Sequence, residues 1–454
     1  MAATAAVVGG LLLSACNPKN ELLEPQQPGV ISPSSVNSAT AADAVAVGAL
    51  GRWKLAMNGG GNNTEAVWNW EALFTDELRS GDTFSQRNDA DQRNTQSNDT
   101  VLLPIYNAAQ QARGRARDAI NLLLQYDPTS KSKIGEMYLA MGYIEDELSE
   151  AFCNGLSFGE TVNGVPNYTP QMDNQAAAKV AIARFDTALT YLSGTDAASV
   201  AVKNAVLIAR GKAQVDVGDF AGAAATVASV PTSYQYNFDY SQTTSDNEWW
   251  IMGTNVKRYT VGDSVDKAGQ ILNAIPFAEL NDPRVSVTNT GAPGEDNVTT
   301  FIQVNNWGRD DPIPPLSGID ARLIEGEAKL HAGDYAGMTA ILNALRSTSQ
   351  TIGAFKVTTM PALAVPADKA SAIQLFFREK ALWQFERGWR MGDLRRLVRQ
   401  YGFSQDKVYP SGNFSRNGTP TGTYGTEVAF PIPDVGVGSE TSNPNFKGCL
   451  DKNA

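Results

Sequence analysis

The sequence predicts a mostly α-helical chain of paired helical hairpins, with long irregular loop-rich segments and few short strands. Three observations predict it. Apolar residues recur at helical spacing over long segments, which are separated by Gly-, Asn- and Pro-rich runs. One twelve-residue pattern occurs twice, GKAQVDVGDFAG at 211–222 and GEAKLHAGDYAG at 326–337, identical at six positions. A late amphipathic segment, 371–399, carries one wide face of large side chains, Ile373, Phe377, Ala381, Leu382, Phe385 and Trp389, that must be covered.

Composition narrows the class. At 454 residues the chain can bury a substantial core. Its net charge of −11 opposes nucleic-acid binding, which needs a basic surface to displace counterions. Three cysteines and one histidine argue against a Cys/His metal site, so no cofactor is expected. His331 aligns with Asp216 at the polar end of a helix, where a solvated imidazole suits the helix dipole and a catalytic one is not needed.

At the N-terminus, residues 5–13 are small and apolar and lead into Leu13-Ser14-Ala15-Cys16. This resembles a bacterial lipobox, in which a peptidase cuts before a cysteine that carries lipid. Residues 1–15 then read as a lipoprotein signal peptide, Cys16 as the lipidated residue, and the Pro-, Ser- and Asn-rich stretch 16–38 as a flexible tether. No Lys or Arg precedes the apolar run, so a start upstream of Met1 is expected. The run is shorter than the roughly 20 residues of a membrane span. Export places the rest in an oxidising space. With Cys16 lipidated, Cys153 and Cys449 remain, and they are expected to pair.

Residues 39–454 read as one domain. Helices are expected over 39–57, 68–78, 103–126, 131–152, 176–192 and 198–217, and short strands near 301–304 and 428–430. The helical scaffold spans about 103–230 and 316–400. Loop-rich parts span about 79–102, 232–315 and 401–454. In each copy of the repeat a glycine (Gly211, Gly326) lets two helices approach, and a second (Gly218, Gly333) closes the first helix before an Asp-aromatic pair. This resembles the tetratricopeptide hairpin. In 371–399 the charged residues Arg378, Glu379, Lys380, Glu386, Arg387 and Arg390 are expected on a solvated face. Glu386 and Arg390 are spaced for an i,i+4 pair, and Gly392 is expected to interrupt the helix.

The run REKALWQFERGWRMGDLRRL is similar to the late signature of SusD/RagB outer-membrane nutrient-binding lipoproteins. Arg378, Glu379, Arg390, Asp393, Leu394, Arg395 and Arg396 match it, while Phe385 and Arg387 depart. Asp282-Pro283-Arg284 and the ending Phe430-Pro431-Ile432-Pro433-Asp434, then Asn443-Pro444-Asn445, resemble the family too; Lys447-Gly448-Cys449 replaces its usual close. The resemblance implies a SusD-like fold and a lipid-anchored, surface-exposed protein of the outer membrane. It also implies capture of an oligosaccharide or peptide and hinged closure over a SusC-like TonB-dependent transporter, without bond chemistry.

Sugars are bound by aromatic faces, with amides, carboxylates and Arg on the hydroxyls. Three segments have that mixture. The first is 79–98, with Arg79, Asp82, Phe84 and Asn88. The second is 246–259, with Trp249 and Trp250, and the third surrounds Trp307. Adjacent tryptophans on an extended chain point to opposite faces, so core packing and a ligand platform both remain open for them. Asp76-Glu77 and Glu145-Asp146-Glu147 read as charged helix faces, and no catalytic constellation stands out. The rival functions are an all-α glycoside hydrolase and a periplasmic tetratricopeptide assembly scaffold.

Overall fold

The computed structural model describes residues 36–60, 65–162, 165–262, 271–416, 419–435 and 440–454. The signal peptide, Cys16 and nearly all of the tether lie outside the described residues.

The helices are α1 (Ala39–Asn58), α2 (Val67–Phe74), α3 (Ser85–Asp91), α4 (Leu102–Tyr126), α5 (Lys131–Ala151), α6 (Asn174–Tyr191), α7 (Ala197–Asp216), α8 (Phe220–Val227), α9 (Gly318–His331), α10 (Tyr335–Arg346), α11 (Lys369–Trp383) and α12 (Arg390–Arg399). From α4 to α10 each helix packs on the next, and α11 returns onto α9. The sequence repeat is two equivalent corners. Gly218 and Gly333 turn at φ 83° and 76°. Asp219 and Asp334 then cap the following helices by accepting the amides of Gly222 and Gly337 at 3.0 and 2.8 Å. His331 is exposed and stacks on Phe220, ring centres 4.1 Å apart.

Strands are more numerous than the sequence suggests, but most are short. Leu78–Ser80 pairs with Tyr259–Val261, Gln235–Phe238 with Ile313–Ser317, Val287–Pro293 with Thr300–Val304, and Ser411–Arg416 with Thr419–Thr423. Runs of three to seven residues seldom show the alternation that reveals a strand. Residues 428–430 form no strand; Phe430 makes an isolated bridge to Phe152. Residues 79–102 are not all loop either. Asp82 accepts the Phe84 amide at 2.9 Å, turning the chain into α3.

The C-terminal tail is tied to the end of α5. Cys153 N–H donates to Phe430 O and Leu450 N–H to Asn154 O, at 2.8 and 2.7 Å. Cys153 and Cys449 are joined by a disulfide, Cα atoms 5.7 Å apart. Beneath this tie lies an aromatic core. Trp53 contacts Tyr143 and Phe238 at 5.3 and 5.0 Å, and Phe74 contacts Phe430 at 5.0 Å.

The signature segment departs from expectation in two ways. It is two helices and not one. Gln384–Trp389 breaks it, with Glu386 at φ 57° and Gly388 at φ 70°; any Cβ on Gly388 would lie 2.0 Å from Trp68 Nε1. Gly392, expected to interrupt, sits inside α12. The charged side chains are also buried, with Arg378 the exception among those expected on a solvated face. Arg390 grips Asp76 through two bonds of 2.6 and 2.8 Å in place of Glu386. Arg387 binds Pro314 O at 2.8 Å and also Asp320. Lys380 bridges Glu327 and Asp393 at 3.2 and 2.6 Å, and Arg396 binds the same two carboxylates. Burial raises the Glu327 pKa, but Arg396 and Lys380 outweigh it and bring it to about 2.

The carboxylates of α5 are core groups too. Lys212 Nζ lies 3.4 Å from Asp146 and 3.3 Å from Glu147 and also pairs with Glu150, all four side chains being buried. Glu77, likewise expected on a charged face, is buried, and burial pushes it up to about 8. A periodicity argument puts charge on the outside, and here paired charges fill the seam between helix layers.

Candidate functional site

The three segments nominated from the sequence come together. Arg79 lies opposite Thr260 in a two-stranded ladder. Gly81 N–H donates to Arg258 O at 2.7 Å, Asp296 N–H to Gly81 O at 2.9 Å, and Glu295 N–H to Lys257 O at 3.0 Å. Asn247 joins the Trp307 segment by donating to Arg309 O and Asp311 O at 2.9 and 3.1 Å.

Most of the nominated side chains are engaged inside this layer. The Arg79 guanidinium donates to Ser415 O. Asp82 is buried and pairs with Arg87, which also holds Glu65. Asn88 is half-buried on α3. Trp249 and Trp307 are 5% and 4% exposed, so neither presents a ring face. Trp249 and Trp250 stand where a π-helical turn begins, Trp250–Asn255, and not on extended chain. Trp250 is half-buried, with the Arg309 guanidinium 5.2 Å from its ring and Asp246 fixing that Arg at 2.9 Å. Phe84 is the exposed aromatic here, 44% accessible, with Arg87 5.3 Å from its ring.

A better-formed site lies elsewhere. A cleft of about 360 Å³ opens between α4 and the hairpin Glu160–Val162/Val165–Asn167. Tyr106, Gln110, Arg113 and Arg117 recur every third or fourth residue, so α4 turns one polar face into it. Their bonds form a chain. Arg113 Nε donates to Gln110 Oε1 at 3.0 Å. Gln110 Nε2 donates to the Tyr106 hydroxyl at 2.9 Å and to Ser157 O at 3.2 Å. The Tyr106 hydroxyl donates to Glu440 Oε1 at 2.8 Å. Burial, then the Glu440 charge, raises the tyrosine pKa well above its usual value, which keeps that proton in place. Arg113 also donates to Gly159 O and lies 5.3 Å from the Phe158 ring.

Around this floor stand the amides of Asn107, Gln111 and Asn167 and the ring of Tyr168, which is 38% exposed. Gly114 leaves the helix surface open, with nothing within 4 Å of a Cβ placed there. The ionic groups in the lining balance, Arg113 and Arg117 against Glu160 and Glu440. A ring, amide groups and a prearranged polar floor suit a neutral, hydroxyl-rich ligand. The sequence reading missed this cleft. Its residues come from a helix, a loop and the C-terminal tail, and no local pattern joins them.

Asp146, Glu150 and Asp216 have metal-ligand spacing. Lys212 already places an ammonium on Asp146 and Glu150, and Arg396 pairs with Asp216 at 3.2 Å, so the protein's own cations occupy the cluster.

No protein-family model matches the chain, and no curated protein matches its sequence. Solved structures do. A SusD-like carbohydrate binding protein from Bacteroides fragilis superposes with a TM-score of 0.65 at 12% identity, covering 90% of this chain and 99% of that one. One from Bacteroides vulgatus gives 0.63 at 12% identity, covering 90% and 98%. Bacteroides fragilis NanU gives 0.59 at 12% identity, covering 94% and 100%. Helical hairpins in the same arrangement over nine-tenths of the chain give it the SusD-like fold.

Proposed function

We propose that the chain is a surface-exposed lipoprotein of the SusD/RagB type that binds an oligosaccharide, or another nutrient oligomer, and delivers it to a SusC-like TonB-dependent outer-membrane transporter. The observation that carries this reading is the SusD-like fold, shared with proteins named as carbohydrate binding. The cleft at Tyr168, with its amides and balanced charge, supplies suitable chemistry. Acyl chains on Cys16 would anchor the protein, residues 1–15 being removed and 16–38 serving as tether, with 39–454 as one folded unit. No helix among the described residues is long and apolar enough to cross a membrane. The chain's part is binding and hinged transfer, with no bond cleavage.

A glycan array probed with the soluble form tests binding. Tyr168→Ala and Gln111→Ala, both on the open rim, should each weaken the best glycan about tenfold. Phe84→Ala and Trp250→Ala examine the loop layer in the same way. Unchanged affinity in all four rejects both surfaces. Co-purification with a large β-barrel tests the partner. Turnover of a glycan abolished by Glu160→Gln or Glu440→Gln would favour a hydrolase. Protection from protease added to intact cells would favour a periplasmic scaffold.

A further inference from the structure

A second pocket, of about 200 Å³, lies against the signature helices and away from the residues of the Tyr168 cleft. Its floor is apolar: Ile373 and Phe377 from α11, Leu394 and Leu397 from α12. Its rim carries two exposed cations, Arg378 and Lys407, whose side chains make no hydrogen bond or ion pair with any described residue. Other exposed cations, such as Arg52, Lys203 and Lys369, also lack a partner among the described residues; Arg378 and Lys407 differ in standing over an apolar floor. The cations beside them are consumed: Arg390 by Asp76, Lys380 and Arg396 by Glu327 and Asp393. Of the acids next to them in sequence, Asp406 is exposed and accepts a hydrogen bond from Gln405. Glu379 faces inward to Arg284 and Arg346, at 2.6 and 2.8 Å. In a protein of net charge −11, two unpaired cations over an apolar floor are complementary to one kind of group.

We propose that this pocket binds the apolar, carboxylate-bearing end of a small ligand, with the tail on Ile373, Phe377, Leu394 and Leu397 and the carboxylate between Arg378 and Lys407. An Arg guanidinium matches a carboxylate in two parallel bonds, and the apolar lining lowers the dielectric around them. The volume is below the roughly 300–1,000 Å³ of pockets that enclose a whole drug-sized molecule, so it fits one short chain or one ring.

Calorimetry on the full chain with 4-phenylbutyrate tests this, with 4-phenylbutyramide as the uncharged control. The acid should bind at least tenfold more tightly than the amide. Arg378→Gln and Lys407→Gln, both at the surface and without side-chain partners among the described residues, should each remove most of that preference. Octanoate and N-acetylphenylalanine separate two sources of the group, an acyl chain and a peptide C-terminus; tighter binding of either supports the site. Equal affinity for acid and amide, no binding of any of the three acids at millimolar concentration, or an acid preference that survives both substitutions would overturn it. None of these outcomes depends on glycan binding.

Discussion

Lys212→Met is the sharpest test of the buried charge seam. The ammonium lies 3.3 Å from Glu147 and 3.4 Å from Asp146 and also pairs with Glu150, in a site where all four side chains are buried. With an effective dielectric of about 20, one such pair attracts by about 5 kcal/mol, and desolvation of the ions offsets much of the sum. Methionine preserves the volume and leaves three carboxylates without that cation. Removing one partner of a buried pair costs about 3–5 kcal/mol. The penalty should depend on pH, with a definite sign. Burial already raises the folded pKa values of Asp146, Glu147 and Glu150 above their unfolded values, and loss of the cation raises them further. The folded variant then binds more protons than the unfolded one, so its stability falls as pH rises above the usual carboxylate range. Urea titrations followed by tryptophan fluorescence should show a larger drop at pH 8 than at pH 5, and Glu150→Gln in the same chain should restore part of it. A wild-type midpoint at pH 8, or a loss equal at both pH values, would refute the reasoning.

Four further outcomes follow from the same structure. Glu77, pushed by burial up to about 8 from 4.5, should make the wild type lose stability as pH climbs from about 4.5 to 8; Glu77→Gln should flatten that slope, which denaturation midpoints across this range will reveal. The Cys153–Cys449 bridge spans 296 positions, so reduction should lower stability by about 2–5 kcal/mol, and two free thiols in the native oxidised protein would dismiss it. Gly211→Ala places a methyl 2.6 Å from Val227 Cγ1 and should cost about 1–3 kcal/mol. Gly51→Ala, in α1 with open space around it, should gain up to about 1 kcal/mol, and urea titrations of both glycine variants check the pair.

Much of the scaffold was legible because it is local. Helix α5, expected over 131–152, is Lys131–Ala151, and α4, expected over 103–126, is Leu102–Tyr126. The Gly-Asp-aromatic corners were readable from spacing, since a helix end at positive φ followed by an aspartate cap is written in adjacent residues. The break at 384–389 was not. It depends on Gly388 meeting Trp68, which lies 320 positions away in the chain.

By itself, then, the order of residues determined the helical class, the hairpin corners and the region where the loops gather. Only tertiary structure decided which charges go inside and which polar groups share a cleft. Glu379 and Arg378 are adjacent and alike in local context, yet one is buried against Arg284 and the other faces solvent. Tyr106 meets Glu440 across more than 300 positions. Periodicity reports only that a helix has two faces. What covers each face is set by distant segments, and a charge can be buried once those segments bring its counter-ion.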